Sequence, residues 1–201
     1  MSRSINTEML SKLRDFFKKF PTIELGNITL RDMRMSDSNA YFEYLNHPMV
    51  KQYLSNEDIP QTEAEALECV KMWGSLFYNK QGVFWTIADS QTDKLIGSIG
   101  LMSWNFYNRR AEISYDLHHD YWGKGITTKA LSNVLKLAFG AMAIYRIEAR
   151  TMTGNTVSQH LLEKFTFKQE GLLRGYRIIN NVPEDICMYS LVEPDYPNIL
   201  K

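Results

Sequence analysis

Between Glu112 and Lys129 the chain reads EISYDLHHDYWGKGITTK, an alternating stretch broken by two glycines and followed by a helix-forming run. Ala111 to Leu117 alternates apolar and polar residues as a half-buried strand does, with Glu112 and Ser114 on one face and Ile113 and Tyr115 on the other. Glycine at 123 and 125 omits the Cβ that would keep a ligand off the main chain. A helix starting at once offers unpaired N–H groups and the positive end of its dipole. Gly123, Lys124, Gly125, Ile126, Thr127 and Thr128 therefore form a candidate anion cradle, suited to a phosphate or pyrophosphate. Two commoner phosphate loops are excluded. Walker A needs G-x-x-x-x-G-K-[ST], but Gly123-Lys124 is followed by Gly125 and position 118 is His118; the dinucleotide fingerprint needs a third glycine where Thr128 stands.

The surrounding periodicity predicts an α/β (α+β) sandwich, a mixed sheet flanked by helices. Met9, Leu10, Leu13, Phe16, Phe17 and Phe20 recur at helical spacing before Pro21, a stripe too apolar for a free tail. Residues 28–34 read as a strand, 39–54 as a helix interrupted near His47-Pro48, and 62–79 as a second helix. Strands are expected at 83–89, 95–103, 111–117 and 145–151, helices at 126–142 and 155–165, and closing strands at 167–171 and 185–192. The 172–184 stretch between them carries no pattern. The domain organisation expected is a helical extension over 1–24, a domain over 25–195 and a tail over 196–201.

Charge narrows the partners. Lys and Arg total 23, as do Asp and Glu, so the chain lacks the surplus of a strongly basic nucleic-acid or membrane binder. No run approaches the ~20 apolar residues that span a bilayer, and the start lacks a secretory signal. Cys69 and Cys187 are the only cysteines, which fits a reducing, cytoplasmic setting. No metal-ligand spacing is present: His118 and His119 are adjacent, and on an extended chain they would point to opposite faces. No metal, nucleic acid or membrane is therefore expected.

From about Ile28 to Val192 the chain resembles the GCN5-related N-acetyltransferases (GNAT), and within them the RimJ/RimL-type branch that acetylates N-terminal amines of ribosomal proteins. The family's acetyl-CoA loop reads Q/R-x-x-G-x-G/A, and Asp120 to Gly125 occupies it. Further matches are Ala111–Leu117, Tyr121–Gly125, Ala130-Leu131, Leu95–Gly100 and Asn155-x-x-Ser158. The resemblance implies a GNAT fold with a V-shaped opening between the 111–117 and 145–151 strands. It implies acetyl-CoA as cosubstrate, its pantetheine arm along Tyr115 and Leu117 and its pyrophosphate on residues 123–128. His118, Trp122 and Asn155 would complete the cofactor wall. The partner would be an amine acceptor, with self-association as a homodimer left open. Two residues depart from the pattern. Asp120 replaces Gln or Arg, and Thr166 replaces the glycine that usually ends the later helix, so a reshaped helix end is expected.

In the reaction implied, a neutral amine attacks the acetyl thioester directly. An α-amine of pKa about 7.8 is roughly 15% neutral at pH 7, whereas deprotonating a lysine of about 10.4 costs nearly 5 kcal/mol. By resemblance, Glu112 is the candidate base or ammonium binder and Ser158 the donor to the departing sulfur. The plainer alternatives are a strand carboxylate paired with Arg109 or Arg110 for Glu112, and ordinary helix-start chemistry for Asn155 and Ser158. Arg177 stands where the branch has an acidic residue, with Tyr176 and Asp185 near the acceptor pocket. Trp122 covers the cofactor edge or, more commonly for such a position, is buried at the strand end. Other readings left open are a small-amine acetyltransferase, a non-catalytic acyl-CoA module and docking of a partner through the N-terminal helix.

Overall fold

The computed structural model describes residues 7–179 and 182–199. One sheet runs through it in the order β1-β2-β3-β4-β5-β6-β8-β7, with β1 Ile23–Glu24, β2 Ile28–Asp32, β3 Val83–Asp89, β4 Leu95–Asn105, β5 Arg110–Leu117, β6 Arg146–Met152, β7 Lys168–Ile179 and β8 Val182–Val192. Every neighbouring pair is antiparallel except β5 and β6. Among the described residues six α-helices flank the sheet: α1 Thr7–Phe16, α2 Ser38–Leu45, α3 Pro48–Lys51, α4 Glu63–Tyr78, α5 Ile126–Phe139 and α6 Thr156–Lys164.

Helices on both faces explain why β3 is buried from Val83 to Ala88 without alternation. Trp85 and Ile87 join the core under α5 with Ala130, Leu131 and Val134, while Phe84 joins a second core with Tyr44, Leu45 and Val70 of α2 and α4. The Phe84 ring lies over Gly100, where a Cβ would come within 2.0 Å of it. The start of α2 is fixed by Arg31, whose guanidinium donates to both oxygens of buried Asp37 at 2.8 Å.

Helix α1 turns its stripe inward from Leu13 onward, while Leu10 stays exposed. Leu13 and Phe16 are buried, and Phe16 and Phe17 pack on Phe77 and Trp104, which removes the stripe as a docking surface. The first six residues of the expected helix lie outside the described ones. The break at His47-Pro48 is real: α2 stops at Leu45, and His47 caps α3 by accepting from the Met49 N–H. The described residues of the unpatterned stretch, 172–179 and 182–184, instead continue both strands into a long antiparallel β7–β8 pair. Its register shifts twice, and Gly175 bulges with φ 58° while its N–H donates to Asp185 at 2.7 Å. Those shifts hide the alternation.

The reshaped end expected for α6 is not found. Thr166 adopts φ 60°, its N–H bonds to Glu163 O at 2.8 Å, and the Phe167 N–H bonds to Leu162 O at 3.1 Å. These are the two bonds of a Schellman cap, with threonine where glycine is favoured. A left-handed non-glycine residue costs about 1 kcal/mol or more. Thr166→Gly is expected to stabilise the protein and raise its melting temperature by about 2–4 °C; a lower melting temperature would show that the threonine side chain contributes more than its backbone strain costs.

Candidate active site

Strands β5 and β6 pair only at Arg110–Arg146, Ala111–Ile147 and Glu112–Glu148. Beyond Glu112, β5 stays on β4 as far as Leu117, while β6 follows β8 as far as Met152. The two central strands therefore part, and the β6-facing edge of β5 is left unpaired from Ile113 onward. Glu112 sits at the apex. Its carboxylate is gripped by Arg150 of β6, with Nε at 2.7 Å from one oxygen and Nη2 on the other. Arg110 pairs with Glu148 and Arg109 with Glu193, so neither supplies the partner expected from sequence.

The glycine loop follows from the end of β5. Gly123 and Gly125 have φ 73° and 72°, a conformation that glycine tolerates, and a Cβ at either would project into open space. Gly125 is the N-cap of α5, and no side chain caps that helix. Its first-turn N–H groups, from Ile126 to Thr128, are thus free for an anion. Alongside runs a groove lined by Thr128, Lys129, Ser132, Lys164 and Thr166, which adds cations that the motif did not reveal.

Trp122, His118 and His119 differ from their sequence reading. Trp122 is exposed rather than buried, and its indole N–H donates to Leu117 O at 2.8 Å. His118 and His119 do not point apart: residues 119–121 form a 3-10 turn, and the rings stack with centroids 4.5 Å apart. His47 stacks on His119 at 3.6 Å. Asp120 turns its carboxylate to these histidines, 3.2 Å from His119 Nε2, rather than into the loop.

The mouth of the V opens into a cavity of about 440 Å³ between α2, α4 and the parted strands. Glu112, Ser114 and Asp116 line it from one face of β5, and Tyr41, Trp73 and Arg177 close it from other elements. Arg177 is tied to Asp58 and Ser55 at 2.8 and 2.9 Å, and the Tyr176 hydroxyl accepts from Arg150. At the far wall Asn155 caps α6 by accepting from the Ser158 N–H at 3.1 Å. The Ser158 hydroxyl lies 2.8 Å from that of Tyr115, whose phenol is pushed up to about 12 by burial. The capping bond to its N–H thus leaves Ser158 on the cavity wall. Cys187 is buried in β8, in the core.

Residues 27–168 match the family model for an acetyltransferase (GNAT) domain. The chain belongs to the GNAT acetyltransferases. It is 33% identical over 175 residues to the uncharacterised N-acetyltransferase YoaA of Bacillus subtilis (strain 168), covering 87% of this chain and 98% of the relative. It is 23% identical over 173 residues to a spermidine N(1)-acetyltransferase of Vibrio cholerae, covering 86% and 97%. Among solved structures, a ribosomal-protein-S5-alanine acetyltransferase from Vibrio fischeri superposes with a TM-score of 0.77 at 21% identity, covering 88% of this chain and 98% of that one.

As a GNAT acetyltransferase the protein is an acyltransferase, and acetyl-CoA is its acyl donor. The residues present suit that donor: an uncapped helix start for a pyrophosphate, an open strand edge for an amide-bearing arm, and Lys164 beside the groove for further phosphate charge, while the Lys129 ammonium donates to Leu25 O at 2.9 Å. Among the described residues no helix is long and apolar enough to cross a membrane. Gly125→Val places a β-branched residue at φ 72° at the uncapped start of α5. Calorimetric titration is expected to show micromolar acetyl-CoA binding to the native protein and at least tenfold weaker binding to the variant. Equal affinities would remove residues 123–128 from the phosphate site.

Proposed function

We propose that the acceptor is the α-amine of a protein or peptide N-terminus, acetylated by direct attack in a ternary complex. The observation that carries this is the grip of Arg150 on both oxygens of Glu112. A carboxylate whose two oxygens both accept from one guanidinium is committed to that pair rather than turned to an incoming amine, so the site suits an amine that loses its proton easily. An α-amine does so at a cost near 1 kcal/mol, a lysine at nearly 5.

In this reading the N–H groups of residues 123–128 hold the pyrophosphate, with Trp122, His118 and Asn155 flanking. A main-chain N–H of the open β5 edge between Tyr115 and Leu117 polarises the thioester carbonyl, an oxyanion-type contribution. Ser158, hydrogen-bonded to Tyr115, gives its proton to the departing sulfur. Glu112 serves through Arg150, holding the apex of the V in shape. A small polyamine is the second reading, favoured by the carboxylates Glu57, Asp58, Glu112 and Asp116 around a cavity that contains the arginines Arg150 and Arg177.

An amine panel with thiol-release detection tests the choice. Short peptides with free N-termini are expected to exceed N-terminally blocked lysine peptides and spermidine in kcat/KM by at least tenfold; the reverse order would transfer the assignment to polyamines. Ser158→Ala is expected to lower kcat by about 10²-fold with little change in acetyl-CoA affinity. Glu112→Gln is expected to lower thermal stability and to reduce kcat/KM without altering the shape of its pH profile. Disappearance of the acid limb in that variant would restore Glu112 as the base.

A further inference from the structure

Two carboxylates on one face of β5 reach the acceptor cavity, and they are in opposite states. Glu112 is neutralised by Arg150. Asp116, four residues on and beyond the point where β6 departs, has no cationic partner among the described residues. Its Oδ1 accepts from the Tyr44 hydroxyl and from the Ser98 N–H at 2.9 Å, and its Oδ2 accepts from the Ser98 hydroxyl at 2.8 Å. All its donors are neutral. Further charged and titratable groups lie around it with no hydrogen bond or ion pair to it: Tyr41 of α2, Asp58 of the 56–58 turn, Cys69 of α4, Arg150 of β6 and Arg177 of β7 on the cavity wall, and His118 beyond β5, whose ring packs on Tyr44. Arg150 and Arg177 are spent on Glu112 and Asp58.

A deep carboxylate given three neutral hydrogen bonds but no counter-ion is oriented for a cation that arrives from outside. We propose that Asp116 is the catalytic residue that receives the acceptor's ammonium group and takes its first proton, a role that rests on the N-acetyltransferase reading above. The ammonium passes one proton to Asp116 Oδ2, and the freed nitrogen lone pair forms the C–N bond at the thioester carbonyl carbon. The C–S bond then breaks with its electron pair on sulfur. The second proton lost by nitrogen ends on that sulfur through the Ser158 hydroxyl, and Asp116 returns its own to water.

Burial raises Asp116 to about 6, because desolvation outweighs the lowering by the Tyr44 and Ser98 hydrogen bonds. A carboxylate of that strength takes a proton from an α-amine of about 7.8 against an equilibrium factor of roughly 60, and from a lysine of about 10.4 against roughly 25,000. The same residue thus narrows the acceptor to weakly basic amines.

The experiment is the pH dependence of kcat/KM for an N-terminal peptide with native protein, Asp116→Asn and Tyr44→Phe, beside calorimetric binding of that peptide to each protein saturated with CoA. Native protein is expected to give a bell that rises near pH 6 and falls above the peptide's own amine pKa. Asp116→Asn is expected to lose about 10²-fold or more in kcat/KM at pH 7, to show one rise at the amine pKa, and to bind the peptide at least tenfold more weakly with its melting temperature retained. Tyr44→Phe removes a hydrogen bond that lowers Asp116, so its acid limb moves to higher pH; this arm holds if Asp116→Asn fails to fold. An unchanged profile in both variants with turnover intact overturns the role of Asp116 and leaves the acetyltransferase reading standing. If no amine releases thiol from native protein, the acceptor reading falls, and peptide binding equal in native protein and Asp116→Asn then overturns the ammonium site as well.

Discussion

The parting of β5 from β6 after three residue pairs is the constraint on which the site depends. Parallel neighbours ordinarily stay paired, because unpaired main-chain groups inside a protein are costly. Here each strand is held by its other neighbour: β5 by β4 as far as Leu117, β6 by β8 as far as Met152. The edge so exposed is a strand's width of unmet hydrogen bonding, which an extended amide-bearing arm can fill. Glu112 and Arg150 sit where the strands diverge, and their bidentate pair replaces the missing ladder with a side-chain bridge.

The same opening explains why Asp116 costs stability. Its folded-state pKa, about 6, lies above the ordinary carboxylate value of 3.8, so the folded protein holds this proton more tightly than the unfolded chain. Linkage then makes its contribution to stability fall as pH rises between those values, leaving the folded state least favoured, as far as this group is concerned, at neutral pH. An uncompensated carboxylate at such depth fits a site kept ready for a cationic ligand.

Much of this was legible in sequence because it was local. The 83–89 strand was read to the residue, and the 126 start of α5 follows from a glycine pair that must take positive φ. The β7–β8 pair was not legible: two register shifts and the Gly175 bulge destroy the alternation that marks a strand. Nor were the stacked histidines, since adjacent side chains diverge on an extended chain and converge only because residues 119–121 wind into a turn. Arg150 as partner of Glu112 joins residues 38 positions apart, a pairing that the parallel register alone sets. Asp116 continues the Glu112–Ser114 alternation and so could have been placed on the cavity face. That it has no counter-ion could not, because this depends on where α2 brings Tyr44 and where Arg150 and Arg177 are spent.

Strand β5 thus divides two tasks by its pleat. Ala111, Ile113 and Leu117 are buried in the core under α5, and Tyr115 packs against it, which ties the strand to the helix whose N-terminus no side chain caps. Glu112, Ser114 and Asp116 face the acceptor cavity. A slip of one residue would exchange the faces, burying both carboxylates under α5 and turning Tyr115 away from Ser158. The pairing Gly97–Leu117 through Met102–Glu112 fixes the register, and burial of the apolar face enforces it. The glycine loop and the cavity therefore meet at one strand because its hydrophobic alternation permits one register: the force that packs the core also aims Asp116 and Tyr115.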